Sequence, residues 1–213
     1  MPAVYVVTDP MCSWCYGMAA AVEETAHRLA EEVRFDLLLG GINVHASQPI
    51  GEFGRRHLMK LWAEVQETTG QTFGFKLPEP FVYNSTLPCV ALEAFRARTG
   101  AAPFGYLHRL QQCLFEEGRN IATADVLDWV AQEFGWARGE LAAALEDQTY
   151  IHRAAVQFEN SRLYGTNALP NVLIERQEER RLLFGGYADS EMMEALIRQA
   201  LAAAPSPGSP GAP

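Results

Sequence analysis

The sequence has few cysteines, four in 213 residues, and it has no long apolar segment. No apolar run approaches the roughly 20 residues that a bilayer-spanning helix needs, so no transmembrane segment is predicted. The start of the chain, Met1-Pro2-Ala3, lacks the basic region of a secretory signal peptide. We therefore expect a cytoplasmic protein, in a compartment where a cysteine pair is more often catalytic than structural.

Basic residues are also scarce. The 17 Lys and Arg residues are outnumbered by 26 Asp and Glu residues, which gives a formal net charge of −9. Nucleic acids and anionic membrane surfaces are bound by clustered positive charge, so neither is predicted as a partner. The apolar content of 48% and charged content of 20% are ordinary for a globular protein. The length suits one domain, or one domain with an insertion.

Two of the cysteines, Cys12 and Cys15, form a Cys-X-X-Cys motif, whereas Cys89 and Cys113 stand alone. A structural zinc site usually needs a second close pair of Cys or His, and the five histidines form no such pair. No metal site is therefore predicted. A buried structural pair is the other alternative, but it does not explain the position of the motif. Cys89 and Cys113 are predicted to be small buried hydrophobes, with participation of a third thiol as the alternative.

The motif lies where an apolar extended run ends and an amphipathic stretch begins. The first turn of a helix has unpaired N–H groups and the positive end of the helix dipole, which stabilise a thiolate. At such sites the pKa of a cysteine can fall from about 8.5 to between about 3.5 and 7.5. We predict that Cys12 is the nucleophile, with its sulfur facing these N–H groups and solvent. Cys15, one turn further along and shielded, is predicted to be the resolving thiol.

Hydrophobic periodicity predicts strand–helix–strand at the start, a long helical region, and helix–strand–strand–helix at the end. In chain order, the predicted elements are strand 3–8, helix 13–31, strand 33–39, helix 49–68, a loop at 70–80, helices opening at Pro88, Pro103 and Thr123, a helix around Leu141 and Leu145, helix 150–164, loop 165–170, strand 171–175, turn 177–180, strand 181–184 and helix 190–203. This pattern predicts an α/β fold. Residues 1–45 and 148–203 would form one domain, 46–147 an all-helical insertion, and 204–213 a disordered tail.

This order, with Cys-X-X-Cys after the first strand and Leu169-Pro170 before the third, resembles the thioredoxin fold in its DsbA-type form. The string DPMCSWCYG at residues 9–17, Asn84-Ser85 and Tyr187 are similar to the FrnE-like branch of DsbA-family oxidoreductases. The resemblance implies thiol–disulfide exchange or disulfide isomerisation on cysteine-containing protein substrates. It implies no cofactor, and it makes glutathione or another thiol the candidate reductant.

The resemblance also implies that Pro170 is a cis proline facing the cysteines, with the backbone of Leu169 free to pair with an extended substrate. The residues alone leave a trans proline opening an edge strand as the alternative. The active-site dipeptide, Ser13-Trp14, supplies no cation comparable to the His of DsbA itself. Asn171 stands where many thioredoxin-like proteins have Thr. A milder potential, suited to reduction or isomerisation in the cytosol, is therefore expected.

The surroundings of the motif allow more than one role. Trp14 is predicted either to contact apolar substrate segments or to pack against the insertion. Asn84 and Ser85 are predicted to form a turn or helix cap, with a place at the rim of the site as the alternative.

Two other functions remain open. The kappa-class glutathione transferases and 2-hydroxychromene-2-carboxylate isomerases share this architecture, but they use a serine near the helix start, and a resolving Cys15 has no purpose in that chemistry. A non-enzymatic redox sensor or binding protein would oxidise Cys12 and Cys15 reversibly without turning over other disulfides.

Overall fold

The computed structural model describes residues 1–164 and 168–203. The tail predicted to be disordered, 204–213, lies outside the described residues, as does part of the loop predicted at 165–170. The elements are β1 (Ala3–Thr8), α1 (Ser13–Arg28), β2 (Arg34–Leu39), α2 (Glu52–Thr69), α3 (Thr86–Thr99), α4 (Phe104–Phe115), α5 (Ala124–Gln132), α6 (Glu140–Ala144), α7 (Gln148–Arg162), β3 (Asn171–Arg176), β4 (Glu179–Gly185) and α8 (Ser190–Ala202).

The four strands form one sheet in the order β2-β1-β3-β4. β1 pairs parallel with β2 and antiparallel with β3, and β3 and β4 form an antiparallel hairpin. All six residues of β1 are buried, because this strand has a neighbour on each side and helices on both faces. The structure confirms the predicted α/β, thioredoxin-like order β-α-β, helices, α-β-β-α.

Side chains of β1 alternate between the two faces of the sheet. Val4 and Val6 pack with Met18 of α1 and Ile197 of α8 on one face. Ala3, Tyr5 and Val7 pack on the other face with Leu38 of β2 and Leu173 of β3. The helix that follows the redox motif is therefore fixed to the centre of the sheet by apolar burial.

Helices α2–α6 lie between β2 and α7 in the chain and share a large apolar core. α3 is docked on β2 through Arg96, which donates to Asp36 Oδ1 at 2.6 Å and to the Leu37 carbonyl at 2.8 Å. α7 is docked nearby, because Gln157 Oε1 accepts from the Leu39 N–H at 2.9 Å. The all-helical character predicted for this region is confirmed. The domain boundaries given above stay a prediction.

Several predicted boundaries are wrong. α1 ends at Arg28 rather than near residue 31. α3 begins at Thr86, two residues before Pro88. The helix tolerates Pro88 because the N–H group of a first-turn residue makes no intrahelical hydrogen bond. The turn predicted at 177–180 is shorter, and β4 already begins at Glu179. Both residues between the strands, Gln177 and Glu178, have positive φ, which closes the hairpin tightly.

In the described part of the chain, none of the helices has both the length and the apolar character needed to cross a membrane.

Candidate active site

The turn between β1 and α1 brings the Cys-X-X-Cys motif to the carboxyl end of β1. The Cys12 N–H donates to the Asp9 carbonyl at 3.1 Å, which closes the turn. Cys12 is then the N-cap residue of α1, with an extended backbone, and its Sγ accepts a hydrogen bond from the Cys15 N–H at 3.2 Å. Cys12 therefore lies at the start of α1, at the positive end of the helix dipole, as its position in the sequence predicted.

Both thiols of the motif are free and buried: Cys12 is 6% exposed and Cys15 is 5% exposed. The prediction that Cys12 faces solvent while Cys15 is shielded is therefore wrong, because both side chains are buried to a similar extent. The motif is enclosed because the turn before it and the insertion pack around it. The two cysteines differ in their hydrogen bonding instead, since the sulfur of Cys12 receives the N–H of Cys15.

Burial raises the pKa of the Cys15 thiol well above its usual value, and the neighbouring Cys12 and Asp9 raise it further. A hydrogen bond from the Thr8 side chain acts in the opposite direction. Cys15 is therefore a protonated thiol at neutral pH in the reduced protein.

Asp9, which precedes the motif, is fully buried. Its Oδ1 accepts from the Met11 N–H at 2.8 Å, and its Oδ2 accepts from the Ile42 N–H at 3.0 Å and from the Ser85 hydroxyl at 2.6 Å. Gln111 of α4 also contacts this turn, because its Nε2 lies 3.4 Å from the Asp9 carbonyl. One carboxylate thus joins the redox turn, the loop after β2 and the start of α3.

Tyr83 supports the same turn from the insertion. Its hydroxyl donates to the Met11 carbonyl at 2.8 Å. Burial raises the pKa of this phenol well above its usual value, and Cys12, Asp9 and Cys15 raise it further. Tyr83 therefore acts as a neutral hydrogen-bond donor to the backbone just before Cys12.

The two residues between the cysteines differ in their surroundings. Ser13 is buried, at 3% exposure, in the first turn of α1. Trp14 is half-buried, packs against the apolar core of the insertion, and has its ring centroid 6.3 Å from that of Tyr187. The predicted packing of Trp14 against the insertion is thus present, and its contact with substrate stays a prediction.

The Leu169–Pro170 peptide bond is cis, as the resemblance implied. In the antiparallel pairing of β1 and β3, Val7 lies opposite Asn171, so the residues just before β3 reach the edge of the sheet where β1 ends. The Pro170 carbonyl accepts from the Gly186 N–H at 2.8 Å. Within the described residues, the N–H and C=O groups of Leu169 have no hydrogen-bond partner.

Cys89 lies closer to the site than the sequence indicated. Its Sγ is 3.8 Å from Asp9 Oδ2 and 3.9 Å from the Ser85 hydroxyl, and burial raises the pKa of its thiol well above the usual value. Cys113 is buried in α4, where burial raises the pKa of its thiol to about 11. Both are buried, as predicted, and neither is an activated thiol.

The pair Asn84-Ser85 has two separate roles. The Asn84 side chain donates to the Val44 and Ala46 carbonyls and accepts from the Thr86 N–H, so it shapes the loop before α3. Ser85 is the N-cap residue of α3, but its side chain makes no capping bond and binds Asp9 instead.

Sequence reasoning missed Asp9, Tyr83 and Gln111 as parts of the site. The signal available was the position of Asp9 three residues before Cys12, and the residues that surround it are distant in the chain.

Among residues 1–164 and 168–203, no group of three or more His, Cys, Asp or Glu side chains could hold a metal ion.

Comparison with known families agrees with this geometry. The sequence model described as a DSBA-like thioredoxin domain matches residues 3–198. The chain belongs to this family. Its fold is therefore that of the DsbA-like thioredoxin-fold oxidoreductase family.

The ClpXP adapter protein SpxH of Halalkalibacterium halodurans is 23% identical over 137 residues, which cover 62% of this chain. The match spans only 45% of the length of that relative.

Solved structures share the fold over nearly the whole chain. A Nitrosomonas europaea protein provisionally described as a protein disulfide isomerase has a TM-score of 0.86 at 24% identity, covering 94% of this chain and 97% of that one. The cytosolic disulfide reductase DsbM from Pseudomonas aeruginosa has a TM-score of 0.77 at 24% identity, covering 93% and 98%, and its structure is also known with GSH. A 2-hydroxychromene-2-carboxylate isomerase has a TM-score of 0.66 at 14% identity, covering 93% and 96%.

Proposed function

We propose that this DSBA-like protein is a thiol–disulfide oxidoreductase that reduces or isomerises disulfides in other proteins, with Cys12 as nucleophile and Cys15 as resolving thiol. The observation that carries the proposal is the hydrogen bond of 3.2 Å from the Cys15 N–H to Cys12 Sγ at the N-terminus of α1. This contact gives the sulfur of the first cysteine a backbone N–H donor at the start of the helix, which supports its role as the nucleophile.

The reaction has two exchange steps. The Cys12 thiolate attacks one sulfur of a substrate disulfide, forms a mixed disulfide, and releases the other substrate sulfur as a thiolate that takes up a proton. Cys15 then loses its proton and attacks Cys12 Sγ, which forms the Cys12–Cys15 disulfide and releases the second substrate thiol. In isomerisation, a substrate thiol attacks the mixed disulfide instead and Cys12 leaves reduced.

A second pair of exchanges would restore the reduced protein. Two molecules of glutathione would reduce the Cys12–Cys15 disulfide to two thiols and leave as glutathione disulfide. The similarity to a disulfide reductase whose structure is known with GSH supports glutathione as this reductant. The description of that reductase as cytosolic supports a cytoplasmic location for this chain.

Substrate binding would use the edge of the sheet beside the motif. The backbone N–H and C=O groups of Leu169, next to cis Pro170, are available among the described residues for pairing with an extended peptide. Trp14 and Tyr187 form an aromatic rim beside the cysteines that suits apolar substrate segments.

The test is reduction of insulin disulfides by glutathione, measured as precipitation of the insulin B chain. We expect the Cys12→Ser variant to lose the activity, and the Cys15→Ser variant to accumulate a mixed disulfide visible on non-reducing gels. Cys113→Ser, a buried cysteine outside the motif, is the matched control and should behave as the wild-type protein. An active Cys12→Ser variant would refute the proposal.

The same variants separate the alternatives. A glutathione transferase or isomerase of the kappa-class type would keep its activity in the Cys12→Ser variant, because it does not use a cysteine nucleophile. A redox sensor or binding protein would show reversible oxidation of Cys12 and Cys15 with no catalysis of insulin reduction. Membership of the FrnE-like branch stays a prediction from the motif.

A further inference from the structure

Asp9 is the most unusual group near the redox motif. It is fully buried, and its contacts tie three separate parts of the chain together. Met11 belongs to the redox turn, Ile42 follows β2, and Ser85 begins α3, and each donates a hydrogen bond of 2.6 to 3.0 Å to the Asp9 carboxylate. The backbone just before Cys12 is thus held against the sheet and the insertion by one side chain.

The Asp9 carboxylate has no ion-pair partner among residues 1–164 and 168–203. In the described part of the chain, its donors are two backbone N–H groups, the Ser85 hydroxyl and the Cys89 thiol at 3.8 Å, and no Lys, Arg or His forms a salt bridge with it. A buried carboxylate without a cationic partner is costly even when it accepts hydrogen bonds from neutral donors. Its presence beside the cysteines therefore calls for an explanation in their chemistry.

Three titratable groups on different elements interact electrostatically with this carboxylate. Cys15 lies on α1, Tyr83 on the segment before α3, and Cys89 on α3 itself. The pKa of each is raised first by burial, and the Asp9 charge raises each one further. Burial also raises the pKa of Asp9, while the hydrogen bonds from Ser85, Met11 and Ile42 oppose that change.

We propose that Asp9 is the positioning residue of the redox turn: its carboxylate, fixed by Ser85 and Ile42, holds the backbone before Cys12 and keeps a negative charge beside the cysteine pair, which makes the pair more reducing. This inference rests on the function proposed above. A nearby negative charge disfavours the thiolate, which exists only in the reduced form, and leaves the neutral disulfide unaffected. Destabilising the reduced form lowers the reduction potential, the reverse of the effect that makes DsbA an oxidant.

The test is the equilibrium of each purified protein with mixtures of reduced and oxidised glutathione, in which two glutathione thiols and the Cys12–Cys15 disulfide interconvert with two protein thiols and glutathione disulfide. The fraction oxidised is counted by alkylation and mass spectrometry. For Asp9→Asn, which keeps the size of the side chain and removes the charge, we expect about a tenfold shift toward the reduced protein, equivalent to about 30 mV. Ser85→Ala should shift it in the same direction by less, since a carboxylate with one donor fewer is harder to ionise.

The pH dependence gives a second readout. The folded-state pKa of Asp9 is raised, so the difference between wild type and Asp9→Asn should be present above that pKa and vanish below it, where both side chains are neutral. Cys113→Ala is the control for damage to the core: it should lower the melting temperature and leave the equilibrium with glutathione unchanged.

An Asp9→Asn protein that melts at a lower temperature but keeps the wild-type equilibrium would overturn the inference, because a purely structural side chain would behave in this way. If Asp9→Asn does not fold, Ser85→Ala is the deciding variant. A Ser85→Ala protein that melts at a lower temperature but keeps the wild-type equilibrium with glutathione would then overturn the inference. Failure of the wild-type pair to form the Cys12–Cys15 disulfide in oxidised glutathione would instead overturn the proposed function, and this inference with it.

Discussion

The backbone N–H of Cys15 donates a hydrogen bond of 3.2 Å to Cys12 Sγ, so the second cysteine of the motif supports the sulfur of the first. The Cys15 thiol itself is kept protonated, because burial, and then the neighbouring Cys12 and Asp9, raise its pKa. Two cysteines with nearly equal exposure therefore have different chemistry, and the difference comes from their positions relative to the first turn of α1.

This asymmetry predicts the order of alkylation. In the reduced protein at neutral pH, iodoacetamide should modify Cys12 before Cys15. In the Cys12→Ser variant, Cys15 should react only at a pH above the value of about 8.5 at which a free cysteine is half ionised, because burial, the largest cause of its raised pKa, remains. Peptide mapping by mass spectrometry over a series of pH values measures both. Equal rates at the two cysteines would contradict the assignment of their roles.

The motif and its position could be predicted from the sequence because every part of the signal is local. The apolar run of β1 ends at Thr8, the amphipathic pattern of α1 begins at Ser13, and the cysteines lie at that junction. The depth of the site could not be predicted, because it depends in part on residues of the insertion that contact the turn before Cys12. Tyr83 and Ser85 each contact the turn across more than 70 positions of sequence, and no periodic pattern encodes such a contact.

The docking of α3 on the sheet predicts a pH-dependent stability. Burial opposes ionisation of Asp36, but hydrogen bonds and ion pairing with Arg96, together with the Leu37 N–H and Arg34, leave its pKa below the usual value. A carboxyl group whose pKa is lower in the folded state stabilises the protein above its unfolded pKa of about 3.9 and loses that effect as the pH falls through the folded value.

We therefore expect Asp36→Asn to lower the free energy of unfolding by about 1.5 to 3 kcal/mol at pH 7, the range for hydrogen bonds to charged groups. The difference from wild type should shrink as the pH falls below about 4. Urea denaturation followed by tryptophan fluorescence at several pH values measures it. Glu67→Gln, at an exposed position on α2, is the control and should change stability little at any pH. A difference that does not depend on pH would show that the ion pair with Arg96 is not its cause.

Tyr16, just after the motif, anchors α1 to the insertion. Its ring is fully buried and stacks on Phe115 with centroids 5.1 Å apart, and its hydroxyl donates to Glu116 Oε1 and lies 3.3 Å from the Thr72 carbonyl. Burial is the largest cause that raises the pKa of this phenol, so the hydroxyl stays a donor throughout the physiological range.

Tyr16→Phe removes the hydrogen bonds and keeps the ring, so we expect a loss of about 1 kcal/mol in the free energy of unfolding. Tyr16→Ala also leaves a cavity, and we expect a loss of about 3 to 5 kcal/mol. Chemical denaturation of both variants separates the contribution of the hydroxyl from that of the ring. Similar losses in the two variants would mean that the hydroxyl, and not the packing of the ring, dominates at this position.

Gly17, the last residue of the motif string, sets how closely α2 approaches α1. A Cβ at this position would lie 2.7 Å from Val65 Cγ1 and 2.9 Å from Thr69 Cγ2, both closer than van der Waals contact allows. Alanine at an exposed helix position would gain about 1 kcal/mol over glycine, but overpacking a core typically costs about 1 to 3 kcal/mol. We therefore expect Gly17→Ala to be destabilising.

The part of this destabilisation that comes from the contact with α2 can be isolated with a second substitution, in α2. Val65→Ala removes the methyl group nearest to the added Cβ, so the double variant Gly17→Ala/Val65→Ala should be less destabilised than the sum of the single variants, by about 0.5 to 3 kcal/mol. Denaturant unfolding of the four proteins completes this cycle. Additive losses would mean that the glycine is required for a reason other than the approach of α2, and the close packing of the insertion against the redox helix would then not depend on it.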